Sequence, residues 1–232
     1  MQDELKESAK REQPELVIFA KQPIPGQAKT RLQTVCSPDQ AARLAEAMIQ
    51  ITVYQACKVW PGPVRLCCTP DSRHEVFRHL SETTRIQLSV QVGENLGARM
   101  LNAIRTSVKC CGSAAILGTD VPHCPGAILA DAYQVLLQGR SVIGPSKDGG
   151  YYFIGLTQPE PELFEGIAWG GERVFNDTQV RAQMIGMTLD RLPVLCDLDT
   201  WQDIVNVLHD HADLKSSFQS AVPELFKGLV AS

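Results

Sequence analysis

Short apolar runs alternate along the chain with longer segments in which apolar residues recur at helical spacing. The runs lie at residues 16–20, 64–69, 86–92, 114–118, 142–144 and 151–156. The longer segments lie at 38–60, 72–80, 96–109, 127–137, 172–184 and 200–208. Strands that alternate with helices are typical of a parallel sheet. The pattern therefore predicts an α/β fold of three layers, α/β/α, around a mainly parallel central sheet.

The chain is long enough for one substantial core. Its 232 residues are 44% hydrophobic, and no Ser/Gly/Pro-rich linker divides them into comparable halves. We predict a single domain at 15–210, a peripheral N-terminal segment at 1–14, and a C-terminal tail at 211–232 with a helix around 223–230. The clearest helix, at 38–60, has Ser37 as its N-cap and Pro38 at its first position.

The charge of the chain limits its partners. The formal net charge is −4 and the pI is about 5.7, whereas binding to nucleic acid generally needs a basic excess. The N-terminus is polar, and no stretch approaches the roughly 18 uncharged apolar residues of a membrane span. We therefore predict a cytoplasmic protein with no nucleic-acid or membrane partner. The eight cysteines include no CxxC pair and are expected to be buried free thiols.

A basic loop follows the first predicted strand and contains Lys21, Lys29 and Arg31. An open α/β sheet binds anions at the carboxyl ends of its strands, and these cations can neutralise a di- or triphosphate. A solvated surface loop is the competing interpretation. A P-loop is excluded, because its glycines would fall where this chain has Pro23 and Ala28.

Two aspartates are candidates for a metal site. Asp120 follows the fourth predicted strand, and magnesium typically takes one or two protein carboxylates plus phosphate oxygens. An Asx turn before Pro122 is the alternative. Asp199, after a strand-like run at 192–195, could complete the site. Alternatively, Asp199 caps the next helix, with Asp203 in its first turn.

Two further loops carry polar candidates. Asp148 precedes two glycines and two aromatic residues, a combination that can line a sugar or acceptor pocket, although a plain turn is the alternative. Arg99 lies where a strand leads into a helix, so it could contact a base or phosphate. It could instead form a surface ion pair with Glu94 or Glu46, with Gly97 serving close packing.

Together these segments resemble a glycosyltransferase-A-like family that includes proteins assigned to arsenosugar biosynthesis, within the nucleotide-diphospho-sugar transferase superfamily. The resemblance covers roughly residues 15–208. It is carried by Phe19-x-Lys21-x-Pro23-x-Pro25-Gly26-x-x-Lys29-Thr30-Arg31-Leu32, Gln91-x-Gly93-x-x-Leu96-Gly97-x-Arg99-Met100, Gly118-Thr119-Asp120-x-Pro122, Gly144-Pro145-x-x-Asp148-Gly149-Gly150-Tyr151-Tyr152 and Asp197-x-Asp199-Thr200-x-x-Asp203. There are departures: no full Asp-x-Asp surrounds Asp120, no Gly-rich loop of the pyrophosphorylase kind lies near Lys21, and Trp169-Gly170-Gly171 stands where Trp-Ser-Thr is expected.

The resemblance implies a Rossmann-like, GT-A-like fold that binds a nucleotide together with Mg²⁺ or Mn²⁺. Asp120 and Asp199 are then the metal ligands, and Asp120 and Asp148 the catalytic candidates. The nucleotide-binding candidates are Lys21, Gly26, Lys29, Arg31, Gly97, Arg99 and Thr119. The sugar or acceptor candidates are Asp148, Gly149, Gly150, Tyr151 and Trp169.

The predicted function is metal-dependent glycosyl transfer from a nucleotide-sugar donor to a small-molecule acceptor, whose hydroxyl Asp148 would orient or deprotonate. Related families share the Lys-Thr-Arg-Leu and Asp-x-Asp-Thr patterns, so nucleotidyl transfer from a nucleoside triphosphate to a phosphorylated small molecule, with release of pyrophosphate, is the alternative. The altered region around Trp169 and the missing full Asp-x-Asp suggest a third hypothesis, a nucleotide-binding module without turnover. The base, the sugar, the acceptor and a homodimeric assembly stay open.

Overall fold

The structure is a computed structural model and describes residues 13–227. The predicted N-terminal segment therefore lies almost wholly outside the described residues, as does the end of the predicted helix at 223–230. No helix in the described part of the chain is long and apolar enough to cross a bilayer.

A seven-stranded sheet forms the centre of the molecule. Its strands are β1 (Glu15–Lys21), β2 (Val64–Thr69), β3 (Gln87–Val90), β4 (Ala114–Gly118), β5 (Ser141–Pro145), β6 (Tyr151–Leu156) and β7 (Leu189–Arg191), in the spatial order β3-β2-β1-β4-β6-β5-β7. The sheet is mainly parallel, as predicted, but β6 runs antiparallel to both of its neighbours. A short loop joins β5 to β6, and so short a loop can join only antiparallel strands.

Helices cover both faces of the sheet. They are α1 (Pro38–Val59), α2 (Glu75–Thr84), α3 (Leu96–Cys111), α4 (Gly126–Leu137), α5 (Val174–Met184), α6 (Trp201–Leu208), α7 (Ala212–Ala221) and α8 (Pro223–Phe226). The core on one face is shared with α1, α2 and α4, and the core on the other with α3 and α5. The predicted three-layer arrangement is therefore confirmed. Ser37 caps α1 through a reciprocal pair of hydrogen bonds with Gln40.

A third apolar cluster lies beside the sheet and positions the site. Leu32, from the 3₁₀ turn Thr30–Thr34, and Leu198, from the segment before α6, are both buried in it. Phe218 and Phe226 bring α7 and α8 into the same cluster. The cluster therefore holds the basic loop and the acidic segment 197–199 against each other, although they are far apart in sequence.

One predicted strand and the burial of the cysteines differ from the prediction. The run at 192–195 is not a strand. The strand β7 lies earlier, at Leu189–Arg191, and within the run Leu195 alone makes an isolated bridge, to Ser146. Pro193 lacks the N–H that a ladder requires, which explains the break. All eight cysteines are free, and five are buried as expected, but Cys57 and Cys196 are only partly buried and Cys110 is exposed.

Candidate functional site

A cavity of about 520 Å³ opens at the carboxyl ends of β1, β2 and β4. From β1 the chain proceeds outward through β2 and β3, and then returns to place β4 on the other side of β1. Ligands of open α/β sheets bind at such a reversal of strand order. The predicted site residues that line the cavity are Lys21, Lys29, Arg31, Arg99, Thr119, Asp120, Tyr151 and Asp199.

Lys29 lies between the two predicted metal ligands. Its Nζ atom is 2.6 Å from Asp120 Oδ1 and 2.9 Å from Asp199 Oδ1, and its side chain is only 8% exposed. Burial alone would lower the pKa of Lys29, but the two carboxylates outweigh burial and raise it above its ordinary value. Lys29 is therefore a protonated, buried cation that lines the cavity.

The backbone of Lys29 is in the left-handed region, with φ 45° and ψ 47°. For a residue with a Cβ atom this conformation costs on the order of 1–2 kcal/mol, so the surrounding structure must impose it. Strain of this kind clusters at functional sites. Here it accompanies a side chain that is directed into buried contacts with two carboxylates.

Asp199 binds two cations. Besides Lys29, it accepts a hydrogen bond from Arg31 Nη1 at 3.0 Å. The alternative in which Asp199 caps α6 is wrong, because the N-cap is Thr200, which forms a capping box with Asp203. Asp203 lies in the first turn of α6, as that interpretation expected.

The donor set at this edge fits a divalent cation that is shared with a phosphate. The Oδ1 atoms of Asp120 and Asp199 converge on one point, and Mg²⁺ is commonly held by one or two carboxylates plus phosphate oxygens. Within residues 13–227, no group of three or more His, Cys, Asp or Glu side chains is arranged to hold a metal without other ligands. The carboxylates of Asp120 and Asp199 are therefore the protein ligands that this edge of the sheet would offer to a metal.

An acidic region lies beside Asp120. The backbone N–H of Leu198 donates to the carbonyl oxygen of Asp120 at 2.8 Å, which brings Asp197 close to it. Asp197 accepts a hydrogen bond from Ser146 Oγ at 3.2 Å. Burial, followed by the carboxylates of Asp148 and Asp120, raises the pKa of Asp197 to about 7. Burial and the neighbouring carboxylates consequently favour the protonated form of Asp197.

The family of the chain follows from residues 50–171, which match the family described as "Uncharacterized protein conserved in bacteria (DUF2064)". The chain belongs to this family. No curated protein matches the sequence of this DUF2064 protein.

Solved structures show the fold to which this DUF2064 protein belongs. A "putative nucleotide-diphospho-sugar transferase" from Desulfovibrio desulfuricans G20 is 28% identical, with 90% of each chain covered and a TM-score of 0.78. The inositol-1-phosphate CTP transferase from T. maritima is 13% identical, with 89% of this chain and 96% of that chain covered and a TM-score of 0.55. Rv0371c from Mycobacterium tuberculosis H37Rv is 16% identical, with coverages of 86% and 98% and a TM-score of 0.53. The predicted nucleotide-diphospho-sugar transferase fold is thus confirmed, and the latter two similarities concern the fold alone.

Several predicted residues of the DUF2064 protein do not line the cavity. Trp169 packs against Phe164 and Tyr151, and a Cβ atom added to Gly97 would lie 2.5 Å from the Trp169 ring. Gly97 therefore permits close packing, which was the alternative interpretation of this glycine. The others outside the cavity lining are Gly26, Asp148, Gly149 and Gly150.

Arg99 lines the cavity, and its Nε atom donates to the carbonyl oxygen of Gly93 at 3.1 Å. Among the described residues it forms no ion pair with Glu94 or Glu46. The surface ion pair considered from the sequence is therefore not formed. Arg99 stays a nucleotide-binding candidate.

Gln91, in the cavity lining, and Asp197, beside Asp120, are polar residues that the sequence did not identify as candidates. Gln91 lines the cavity, and its amide donates to the carbonyl oxygen of Cys67 at 3.0 Å. Leu198 is fully buried, and successive side chains of an extended segment point to opposite sides. The alternation Asp197-Leu198-Asp199 was thus the signal that could have placed both carboxylates at the site.

The raised pKa of Asp197 predicts a pH-dependent stability. Between about pH 4 and pH 7 the native state keeps a proton that the unfolded chain releases, so stability falls as the pH rises through this range. We expect Asp197→Asn to remove this loss of stability at high pH. Thermal unfolding in the presence of EDTA should give equal midpoints near pH 4 and a higher midpoint for the variant above pH 7. Parallel profiles of variant and wild type would contradict the assignment.

Proposed function

We propose that this protein is a metal-dependent transferase that moves a glycosyl group from a nucleotide-sugar to a small acceptor. The observation that carries the proposal is the meeting of Lys29 and Arg31 with Asp120 and Asp199 in one cavity. The cavity lies where sheets of this kind bind ligands. Cations for a diphosphate and carboxylates for a divalent metal are therefore present side by side.

In the proposed reaction, the bond between the sugar and the diphosphate breaks while an acceptor hydroxyl oxygen bonds to the same sugar carbon. Negative charge grows on the departing diphosphate, and the positive charges of Lys29 and Arg31 stabilise it. Asp120 and Asp199 would hold Mg²⁺ or Mn²⁺, which supplies further positive charge to that leaving group when bound. Asp148 lies outside the cavity lining, near Asp197, and from there would orient the acceptor hydroxyl or take its proton.

The charge beside Asp120 favours glycosyl over nucleotidyl transfer. Among the described residues, Asp148 has no ion-pair partner, whereas the raised pKa of Asp197 leaves that carboxyl partly protonated near pH 7. Nucleotidyl transfer would bring a phosphorylated acceptor next to the Asp148 carboxylate, and like charges at short range repel. An uncharged hydroxyl acceptor meets no such repulsion.

Ligand-dependent thermal unfolding tests the proposal. We expect one nucleotide-diphospho-sugar to raise the midpoint in the presence of Mg²⁺ or Mn²⁺, and EDTA to abolish the shift. A ligand at about a hundred times its dissociation constant stabilises by roughly 2.7 kcal/mol, or about 5–10 °C for a chain of this size. The stabilising donor is then incubated with candidate acceptors, and the release of nucleoside diphosphate is measured.

The other outcomes identify the competing functions. A shift confined to nucleoside triphosphates, with release of pyrophosphate, would assign nucleotidyl transfer. Tight nucleotide binding without any product would assign a non-catalytic module. No shift with any nucleotide would contradict the proposal altogether.

A further inference from the structure

Lys29 occupies the place that the proposed function gives to a metal. Its ammonium group contacts Asp120 Oδ1 and Asp199 Oδ1, the oxygens that would ligate the cation. Metal–oxygen distances for Mg²⁺ are about 2.0–2.1 Å, so a cation bound to both oxygens would lie against the ammonium group. Two positive charges so close repel strongly in a partly buried site. Lys29 and the metal therefore compete for one position.

The same cavity offers Lys29 another partner. Its residues include Lys21 and Arg31, whose charges suit the phosphates of a nucleotide. Among the described residues, Lys21 donates only to the carbonyl oxygen of Gln27. Arg31 pairs with Asp199, but its side chain is largely exposed, so neither cation has to leave a buried ion pair to meet a ligand. Of the three cations of this loop, only Lys29 is buried between carboxylates.

We propose that Lys29 is the counter-ion of Asp120 and Asp199 while the cavity is empty, and that it leaves them for the phosphates of the nucleotide, so that metal and nucleotide promote each other's binding. This inference rests on the proposed function, because it assumes that one site binds both the metal and the nucleotide. A phosphate that attracts the ammonium group frees both carboxylates for the metal. A metal on the carboxylates likewise releases Lys29 for the phosphate. By linkage, each ligand raises the affinity for the other by the same factor.

Mn²⁺ binding in the absence of nucleotide tests the proposal. The Lys29→Met substitution keeps the length of the side chain and removes its charge. The full chain is titrated with Mn²⁺, and the concentration of free Mn²⁺ is measured by electron paramagnetic resonance. We expect the variant to bind Mn²⁺ at least about tenfold more tightly than wild type. Mn²⁺ alone should also raise the thermal midpoint of the variant more than that of wild type.

Two controls assign the effect to this site. Lys58→Met makes the same charge change on an exposed residue in the last turn of α1, and should keep the wild-type affinity for Mn²⁺. Adding Asp120→Asn to Lys29→Met should abolish the gain. If Lys29→Met does not fold, Lys29→Gln carries the same expectation, because it also removes the charge.

Equal Mn²⁺ affinities of the Lys29 variant and wild type would overturn the inference. The proposed function would survive that result if wild type still showed a metal-dependent shift with a nucleotide-sugar. Conversely, tighter Mn²⁺ binding by the variant, together with no nucleotide shift in wild type, would support the exchange of cations and reject the donor assignment. The two failures are therefore distinguishable.

Discussion

Asp120→Asn is expected to lower metal-dependent turnover by about two to three orders of magnitude while the protein stays folded. The substitution preserves the size of the side chain and removes a charge that lies 2.6 Å from Lys29 Nζ. Without that charge, Asp199 alone of the two candidate ligands can offer an anionic oxygen to the metal. Initial rates at saturating Mg²⁺ or Mn²⁺, measured with the donor that stabilises wild type, give the size of the loss.

Asp131→Asn is the matched control for this prediction. Asp131 lies on the exposed side of α4, outside the cavity, and the chemical change is the same. It should leave turnover within about twofold of wild type, because surface substitutions of this kind rarely disturb a distant site. Equal thermal midpoints of both variants would show that folding is intact. An Asp120→Asn protein as active as the control would refute the role of Asp120.

The location of the site could be predicted because it depends on strand ends. Lys21 closes β1, Asp120 comes shortly after β4, and β1 and β4 are neighbours in the sheet. Apolar runs are easy to recognise, and parallel neighbours end at the same edge. The sequence alone therefore supports a site that combines the basic loop with Asp120.

The contacts within the site could not be predicted in the same way. Lys29 meets Asp199 across 170 positions of sequence, through a cluster in which Leu32 and Leu198 are both buried. Long-range packing of this kind has no local signal. The raised pKa of Asp197 likewise depends on burial and on carboxylates from two other loops.

Gly149→Ala is expected to destabilise the native state by about 3 kcal/mol, which lowers the thermal midpoint by about 6–12 °C. Gly149 has a φ of +89°, and an added Cβ atom would lie 1.9 Å from the carbonyl oxygen of Glu172. The carbonyl oxygen of Gly149 also accepts a hydrogen bond from Phe175 N at 2.8 Å, which ties this loop to the start of α5. Since Asp148 precedes Gly149, we expect turnover to fall as well. Thermal unfolding without ligand measures the stability change.

Gly139→Ala separates the two causes of this destabilisation. Gly139 has a similar φ of +75°, but an added Cβ atom would meet nothing within 4 Å. The Gly139→Ala variant should therefore lose only the stability that a left-handed alanine costs, about 1–2 kcal/mol. The remainder of the Gly149→Ala effect belongs to the clash with the Glu172 carbonyl. Equal losses of stability in the two variants would contradict that clash, whereas a larger loss at Gly149, with turnover reduced there alone, would support a role in turnover for the loop that carries Asp148.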